Sequence, residues 1–264
     1  MSPAHELRSR SPSLRQVPAD PAGFAAGGEL PGSSAPPHFS AVPASASRDG
    51  GWQRVGHYSR FGDSVKEVSD RVLAAFGLVL VSPILLVIAI AIRLDSPGPA
   101  FFLQTRIGRG GRPFRFWKFR GMFMDARTRF PELYDYHYDA EQVRELRFHP
   151  PVDPRVTRVG RLIRRTSLDE LPNLLNVILG DMSLVGPRPE IPELIPYYGA
   201  SAKLVLSVKP GLTSLAKLLG RDHFTFQETL DLDLRYVRER SLRVDLFILI
   251  GTVWLVLTGR SIGK

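Results

Sequence analysis

The chain has 264 residues, 44% of them hydrophobic, and a formal net charge of +9. That balance excludes a wholly disordered chain and a bundle of many membrane spans. The absence of cysteine excludes a disulfide scaffold, thiolate metal sites, iron–sulfur ligation and a cysteine nucleophile.

Residues 1–50 contain 31 Pro, Gly, Ser or Ala and no Ile, with four Arg against four acids. Such a segment cannot bury enough apolar surface to offset its ordering entropy. A disordered tail is expected over 1–57, with the folded region at 58–264. The tail has no apolar core of the kind a cleaved signal peptide carries. The whole basic excess therefore falls on residues 51–264. It calls for an anionic partner: nucleic acid, phospholipid headgroups or a phosphorylated substrate.

Val72 to Ile92 is a run of 21 residues without a charge. A straight helix of that length reaches about 30 Å, the hydrocarbon thickness of a bilayer. A buried core helix is the competing reading, but the run has no polar face. Ser82-Pro83 stands at its middle. Proline removes an amide donor and crowds the carbonyl four residues back, so a break or kink is expected there. Two halves of about ten residues each reach only about 15 Å and can dip in and return to one face. Lys66 and Arg71 precede the run, and Arg93 and a series of further basic residues follow it. Basic flanks at both ends favour a re-entrant helix over a span with one basic side.

Phe101 to Thr105 and Phe114 to Phe119 bracket Gly108-Arg109-Gly110-Gly111, the pattern of a β-hairpin with a glycine turn. From Arg93 to Arg129 there are nine basic residues and two acids, which suits anionic lipid, a phosphate-binding surface, or both. Residues 124–148 read as helical. Leu246 to Thr258 is a 13-residue apolar run with Trp254. It is too short to span and is either a core helix or an interfacial one.

The central stretch runs from Arg161 to Asn173. Ser167 with Glu170 three residues on forms a capping-box pattern, which would put Asp169 and Glu170 in the first turn of a helix. Acids there can simply stabilise the helix N-terminus. Adjacent acids also point in different directions, so one can attack phosphorus or bind metal while the other assists. Arg164 and Arg165 stand just before them, and Arg suits bidentate phosphate contacts. Arg188, held between two prolines in the string GPRPE, is presented rigidly. Lys118 and Arg120 end the hairpin and are further candidates for phosphate. Together with the apolar run, these residues suggest phosphoryl transfer at a membrane surface.

The strings RIGRGGRPFRFWKFRGM (106–122), DPRVTRVGRLIRRTSLDELPNLLNVILGDMSLVGPRPE (153–190), KPGLT (209–213) and LDLRYVRERSLRVDLFIL (232–249), with Ser82-Pro83 in the apolar helix, resemble the bacterial sugar transferases, the monotopic polyprenyl-phosphate phosphoglycosyl transferases. The likeness runs from about residue 64 to 262. It implies transfer of a sugar 1-phosphate from a nucleotide diphosphate sugar, by family default a uridine one, to polyprenyl (undecaprenyl) phosphate with Mg²⁺. Such a step initiates exopolysaccharide, capsule, O-antigen or glycoconjugate assembly. The resemblance implies Asp169 as the nucleophile of a phosphosugar-enzyme intermediate and as the residue near Mg²⁺, with Glu170 assisting and Ser82-Pro83 making the re-entrant break. This sequence departs from the family pattern in three places, one of them Asp125-Ala126-Arg127 where the family commonly shows Asp-Ala-Glu. Position 121 is Gly rather than Ser or Thr, and KPGLTSLAK stands for KPGITGWAQ, with Ser214, Leu215 and Lys217.

The fold expected is α/β and mostly helical. It comprises a re-entrant membrane helix at about 72–92 and a catalytic region at about 100–264, with a small β-hairpin and amphipathic interfacial helices. The location expected is the cytoplasmic face of a bacterial inner membrane, with membrane lipids as partners and no nucleic acid. A non-catalytic membrane scaffold of a polysaccharide assembly complex is the rival reading, and the intact Asp169-Glu170 pair argues against it.

Overall fold

A computed structural model describes residues 60–147, 153–220 and 224–258. The expected tail at 1–57 lies outside them. The described chain is mostly helical. Helix α1 (Arg60–Asp95) is followed by strands β1 (Phe101–Ile107) and β2 (Pro113–Phe119), then α2 (Ala126–Arg129), α3 (Ala140–Glu145) and α4 (Arg158–Arg165). A 3₁₀ helix (Leu168–Asn173) leads into α5 (Leu174–Leu179) and strand β3 (Ser183–Val185). A 3₁₀ segment (Pro192–Ser201) then leads to α6 (Ala202–Val205), β4 (Gly211–Thr213), α7 (Leu215–Gly220), α8 (Phe226–Glu239) and α9 (Leu242–Thr258).

The break expected at Pro83 is absent: α1 runs through it as one helix of 36 residues. Pro83 leaves the Val79 carbonyl without its usual amide donor. The Ser82 hydroxyl donates to that same carbonyl at 2.8 Å. Serine ahead of proline thus supplies the hydrogen bond that proline removes. Against the body, α1 lays a stripe of helical period. Asp70 accepts from the Ser183 hydroxyl, and Ala74, Leu78 and Val81 join the main core. Leu85, Ile88 and Ile92 pack with Phe119 and Ile163. Asp95 accepts from the Val159 amide at 3.0 Å. The outer face carries Val72, Phe76, Val79, Leu86, Val87 and Ile90, all exposed. Helix α1 is the one described helix long and apolar enough to cross a membrane.

The hairpin forms as the glycine turn suggests. β1 and β2 pair antiparallel with Phe101 opposite Phe119 and Ile107 opposite Pro113. Gly110 and Gly111 adopt φ of 71° and 75°, which glycine tolerates and other residues rarely do. Of the stretch 124–148, the described residues 124–147 do not make one helix. Phe130, ahead of Pro131, leaves helical space at φ −135°, and a 3₁₀ turn follows. A residue before proline is pushed out of the helical region by its ring.

The main core joins Ala74 of α1, Phe116 of β2, Val177 of α5, Val185 of β3, Leu218 of α7, Val237 of α8 and Ile248 of α9. Beside it, Lys66 bridges Asp70 at 3.2 Å and Asp245 at 2.6 Å. The Tyr236 hydroxyl donates to Asp245 at 2.8 Å, so α1, α8 and α9 are clamped by one buried charged cluster. Helix α9 starts four residues before the apolar run read from sequence and leaves Leu246, Phe247, Ile250, Val253 and Trp254 exposed.

Candidate active site

The Asp169-Glu170 pair is positioned by a turn that the capping-box pattern misreads. Ser167 takes φ 58°, in the left-handed region, with no capping hydrogen bond from its side chain. Its amide donates to the Arg164 carbonyl at 3.2 Å. Ser167 therefore closes α4 behind it and does not cap the helix ahead. As expected, Asp169 and Glu170 lie in the first turn of a helix, here the 3₁₀ helix. Among the described residues Ser167 is the non-glycine with positive φ, a conformation that costs about 1–2 kcal/mol. The tight turn swings the two acids inward, and Asp169 is 5% exposed.

A second lock fixes this helix to the hairpin. The Asn176 amide group of α5 donates to the Arg115 carbonyl at 2.7 Å and accepts from the Trp117 amide at 3.1 Å. β2 is thereby held with Lys118 facing the acids. On the opposite side, β3 and β4 pair in parallel, and the backbones at Gly186 and Gly211 approach very closely. A Cβ on Gly186 would lie 2.4 Å from the Lys209 carbonyl oxygen. Only glycine permits that approach, which brings the Pro187-Arg188-Pro189 turn beside the 209–213 loop.

The result is an open cleft of about 1030 Å³, counting solvent at its mouth. It is lined by Arg106, Lys118, Arg164, Asp169, Glu170, Arg188, Glu190 and Lys217, with Asn173, Thr213 and Ser214 between them. Lys118, the stretch from Arg164 to Glu170, and Arg188, three separate parts of the sequence, are thus brought together. Arg120 is not in this group. Its guanidinium donates to the carbonyls of Ile92, Ser96 and Pro97 at the end of α1. Ser82 and Pro83 lie on α1, away from the cleft lining. Arg165 is exposed.

Three charged residues of the lining were not singled out from sequence as site residues. Arg106 donates to Glu190 at 3.1 Å and to the Pro189 carbonyl at 3.1 Å. Both partners are buried, so this pair braces the turn that carries Arg188. Lys217 donates to Glu170 at 2.8 Å and to the Leu212 carbonyl at 3.3 Å. The departure from the family string at position 217 was the available signal for Lys217. Nothing local marked Arg106 or Glu190, whose pairing spans 84 residues.

The electrostatics follow from burial. Desolvation pushes the Lys118 ammonium down to about 7, against the opposing pull of Asp169. Burial lifts the Glu190 carboxyl above its ordinary range, with Arg188 and Arg106 countering it. Behind the Arg188 turn, burial raises Asp233 to about 8, although the Arg188 amide donates to it at 3.2 Å. Two acids side by side in a cleft of cations can receive a phosphorylated, anionic substrate and offer a carboxylate to it.

Residues 61–259 match the model of the bacterial sugar transferase family. The chain is 41% identical over 195 residues to the galactosyl transferase CpsE of Streptococcus agalactiae, covering 74% of this chain and 42% of that protein. It is 39% identical over 202 residues to the UDP-glucose:undecaprenyl-phosphate glucose-1-phosphate transferase of Escherichia coli, covering 72% of this chain and 39% of that one. The exopolysaccharide production protein ExoY of Rhizobium meliloti is 35% identical over 209 residues, covering 79% of this chain and 92% of its own. The chain thus spans about two fifths of the first two relatives and nearly all of the third.

Proposed function

The chain belongs to the bacterial sugar transferase family, and from that premise and the cleft we propose that it transfers a sugar 1-phosphate from a UDP-sugar to polyprenyl phosphate at a membrane surface. The observation that carries this reading is the convergence of Lys118, Arg164, Arg188 and Lys217 on the Asp169-Glu170 pair in one cleft. The named reaction of the Escherichia coli relative, with a UDP-sugar donor and undecaprenyl phosphate as acceptor, supports the substrate classes. Such a step starts the assembly of a lipid-linked polysaccharide.

In the mechanism, an Asp169 carboxylate oxygen attacks the phosphorus that carries the sugar. The bond from that phosphorus to the bridging oxygen breaks, and UMP leaves with the electron pair. A phosphate oxygen of the lipid then attacks the same phosphorus and expels the Asp169 carboxylate, giving polyprenyl diphosphate sugar. Splitting one hard displacement into two is the use of a covalent nucleophile. Arg164, Arg188 and Lys118 offset the charge on the transferring group. Glu170, held by Lys217, sits beside the nucleophile and assists it.

No group of three or more His, Cys, Asp or Glu side chains suited to a metal occurs among the described residues. Two adjacent carboxylates in a phosphate-binding cleft fit Mg²⁺, which takes one or two carboxylates and completes its shell with phosphate oxygens and water. Asp169 would hold it, and when bound the ion withdraws charge from the phosphoryl oxygens.

The course of α1 supports a proposed membrane arrangement. Its contacts with the body run from Asp63 to Asp95, about 48 Å at the helical rise. That exceeds the roughly 30 Å hydrocarbon core. A perpendicular span would carry the body into lipid. We propose that α1 keeps both ends on one face, presenting its apolar outer side to the bilayer, with the exposed face of α9 adding to that contact. We place that face on the cytoplasmic side, where the donor nucleotide is.

Enzyme incubated with UDP-sugar and Mg²⁺, without lipid, is expected to release UMP and to retain sugar phosphate on Asp169. Asp169→Asn abolishes both signals. UMP release that waits for lipid in the wild type would replace the covalent route with a single displacement.

A further inference from the structure

A second, smaller cavity of about 390 Å³ opens beside the first. The two share Lys118, Arg164 and Asp169. They differ in everything else. The main cleft adds Arg106, Glu170, Arg188, Glu190 and Lys217. The second adds Phe102, Phe119, Met122, Phe123 and Met124, with Gly121 between them. Its one further charged residue is Arg120, whose guanidinium already serves the carbonyls that end α1. An occupant of this cavity thus meets cations and the buried carboxylate at its inner end and apolar side chains elsewhere.

We infer that this cavity is the subsite for the isoprenoid segment next to the phosphate of the lipid acceptor. The inference rests on the transfer proposed above and names where its second substrate lies. The acceptor phosphate enters between Lys118 and Arg164, in the position UMP leaves. An in-line displacement of the Asp169 carboxylate needs the attacking oxygen on that side of the phosphorus. The tail then has two ways out, and the second cavity is the more apolar, since the main cleft mixes Phe116, Met182, Ile191 and Leu212 with its charged residues. Water-soluble nucleotide and sugar hydroxyls suit the charged cleft, and a hydrocarbon chain suits the Phe and Met walls.

Position supports the same occupant. The cavity abuts the end of α1, because a Cβ on Gly98 would lie 2.8 Å from Met124 Cγ. Met124 is 41% exposed and Phe101 is 43% exposed. Phe101 stacks on the cavity residue Phe119 with ring centres 5.1 Å apart. Apolar surface therefore reaches the exterior from the cavity wall through Phe101 and Met124. At the inner end, a Cβ on residue 121 would lie 3.2 Å from Arg164 Cδ. Glycine there leaves room beside the arginine that both cavities share.

The test measures KM for each substrate separately, with the full chain in detergent or vesicles. Met124→Glu, at an exposed position, and Phe123→Ser are expected to raise KM for polyprenyl phosphate at least tenfold. KM for the UDP-sugar is expected to move less than twofold. A photoreactive prenyl phosphate is expected to crosslink within residues 119–124. Wild-type KM for the lipid in both variants, or a crosslink confined to other segments, would overturn the subsite. Those outcomes are separable from failure of the transfer itself, which would show as a wild type that makes no lipid-linked sugar. That result would overturn both readings.

Discussion

At the scale of single residues, charge and burial in the cleft decide what can be changed. Lys217 and Glu170 form a half-buried pair at 2.8 Å. Truncating one partner leaves the other charge poorly solvated, which costs about 2 kcal/mol or more. Lys217→Gln is expected to lower kcat by tenfold or more, and Lys217→Arg to restore part of it. Equal rates in wild type and Lys217→Gln, measured as sugar transferred to lipid, would show the pair to be dispensable. Lys118 carries a second prediction. With its ammonium lowered to about 7 by burial, it is charged below that pH and loses its proton above it. A phosphate favours the protonated form, so KM for the UDP-sugar is expected to rise as pH climbs past 7. In Lys118→Arg, whose guanidinium stays charged, that rise should disappear. A persistent rise in that variant would assign the titration to another group.

At the scale of elements, α1 joins two demands that conflict in isolation. It must carry Pro83 and remain one helix along the body. The Ser82 hydroxyl on the Val79 carbonyl reconciles them. Ser82→Ala leaves that carbonyl without its donor on an apolar face, at a cost of about 1–3 kcal/mol. Faster hydrogen exchange in residues 80–87, read on the full chain in lipid nanodiscs, is the expected sign. Pro83→Ala returns an amide to the same carbonyl. The double variant is therefore expected to exchange like Pro83→Ala alone. Additive effects would mean that the hydroxyl has another role. The hairpin and the 3₁₀ helix form the other critical junction, held by Asn176 between Arg115 and Trp117. Asn176→Leu should loosen Lys118 from Asp169 and reduce turnover more than it reduces helix content by circular dichroism.

At the scale of the whole molecule, buried charge couples the site to stability. Asp233 on α8 is fully buried, and its carboxyl is raised to about 8. The unfolded chain releases that proton near pH 4, whereas the folded chain keeps it until about 8. Between those values the folded state holds more protons, so this group's contribution to stability falls as pH rises. Asp233→Asn resembles the neutral carboxyl. Its Tm relative to wild type is expected to increase from pH 5 to pH 8, and a constant difference across that range would contradict the assignment.

The sequence by itself determined what depends on neighbours along the chain. The uncharged run at 72–92, the glycine turn of the hairpin and the acid pair at 169–170 were legible, because periodicity, turn chemistry and motif strings are local. The resemblance carried by 106–122 and 153–190 fixed the family for the same reason. Tertiary structure decided the rest, and at each point the reason is a contact between distant residues. Lys217 reaches Glu170 across 47 positions, and Arg106 reaches Glu190 across 84. Arg120, a phosphate candidate by sequence, meets the carbonyls at the end of α1 and lines the smaller cavity instead of the main cleft. Ser167 read as a side-chain cap, but in its left-handed backbone it makes no capping hydrogen bond. Burial of a charge demands a partner, and the partner's identity is set by packing that no local pattern encodes.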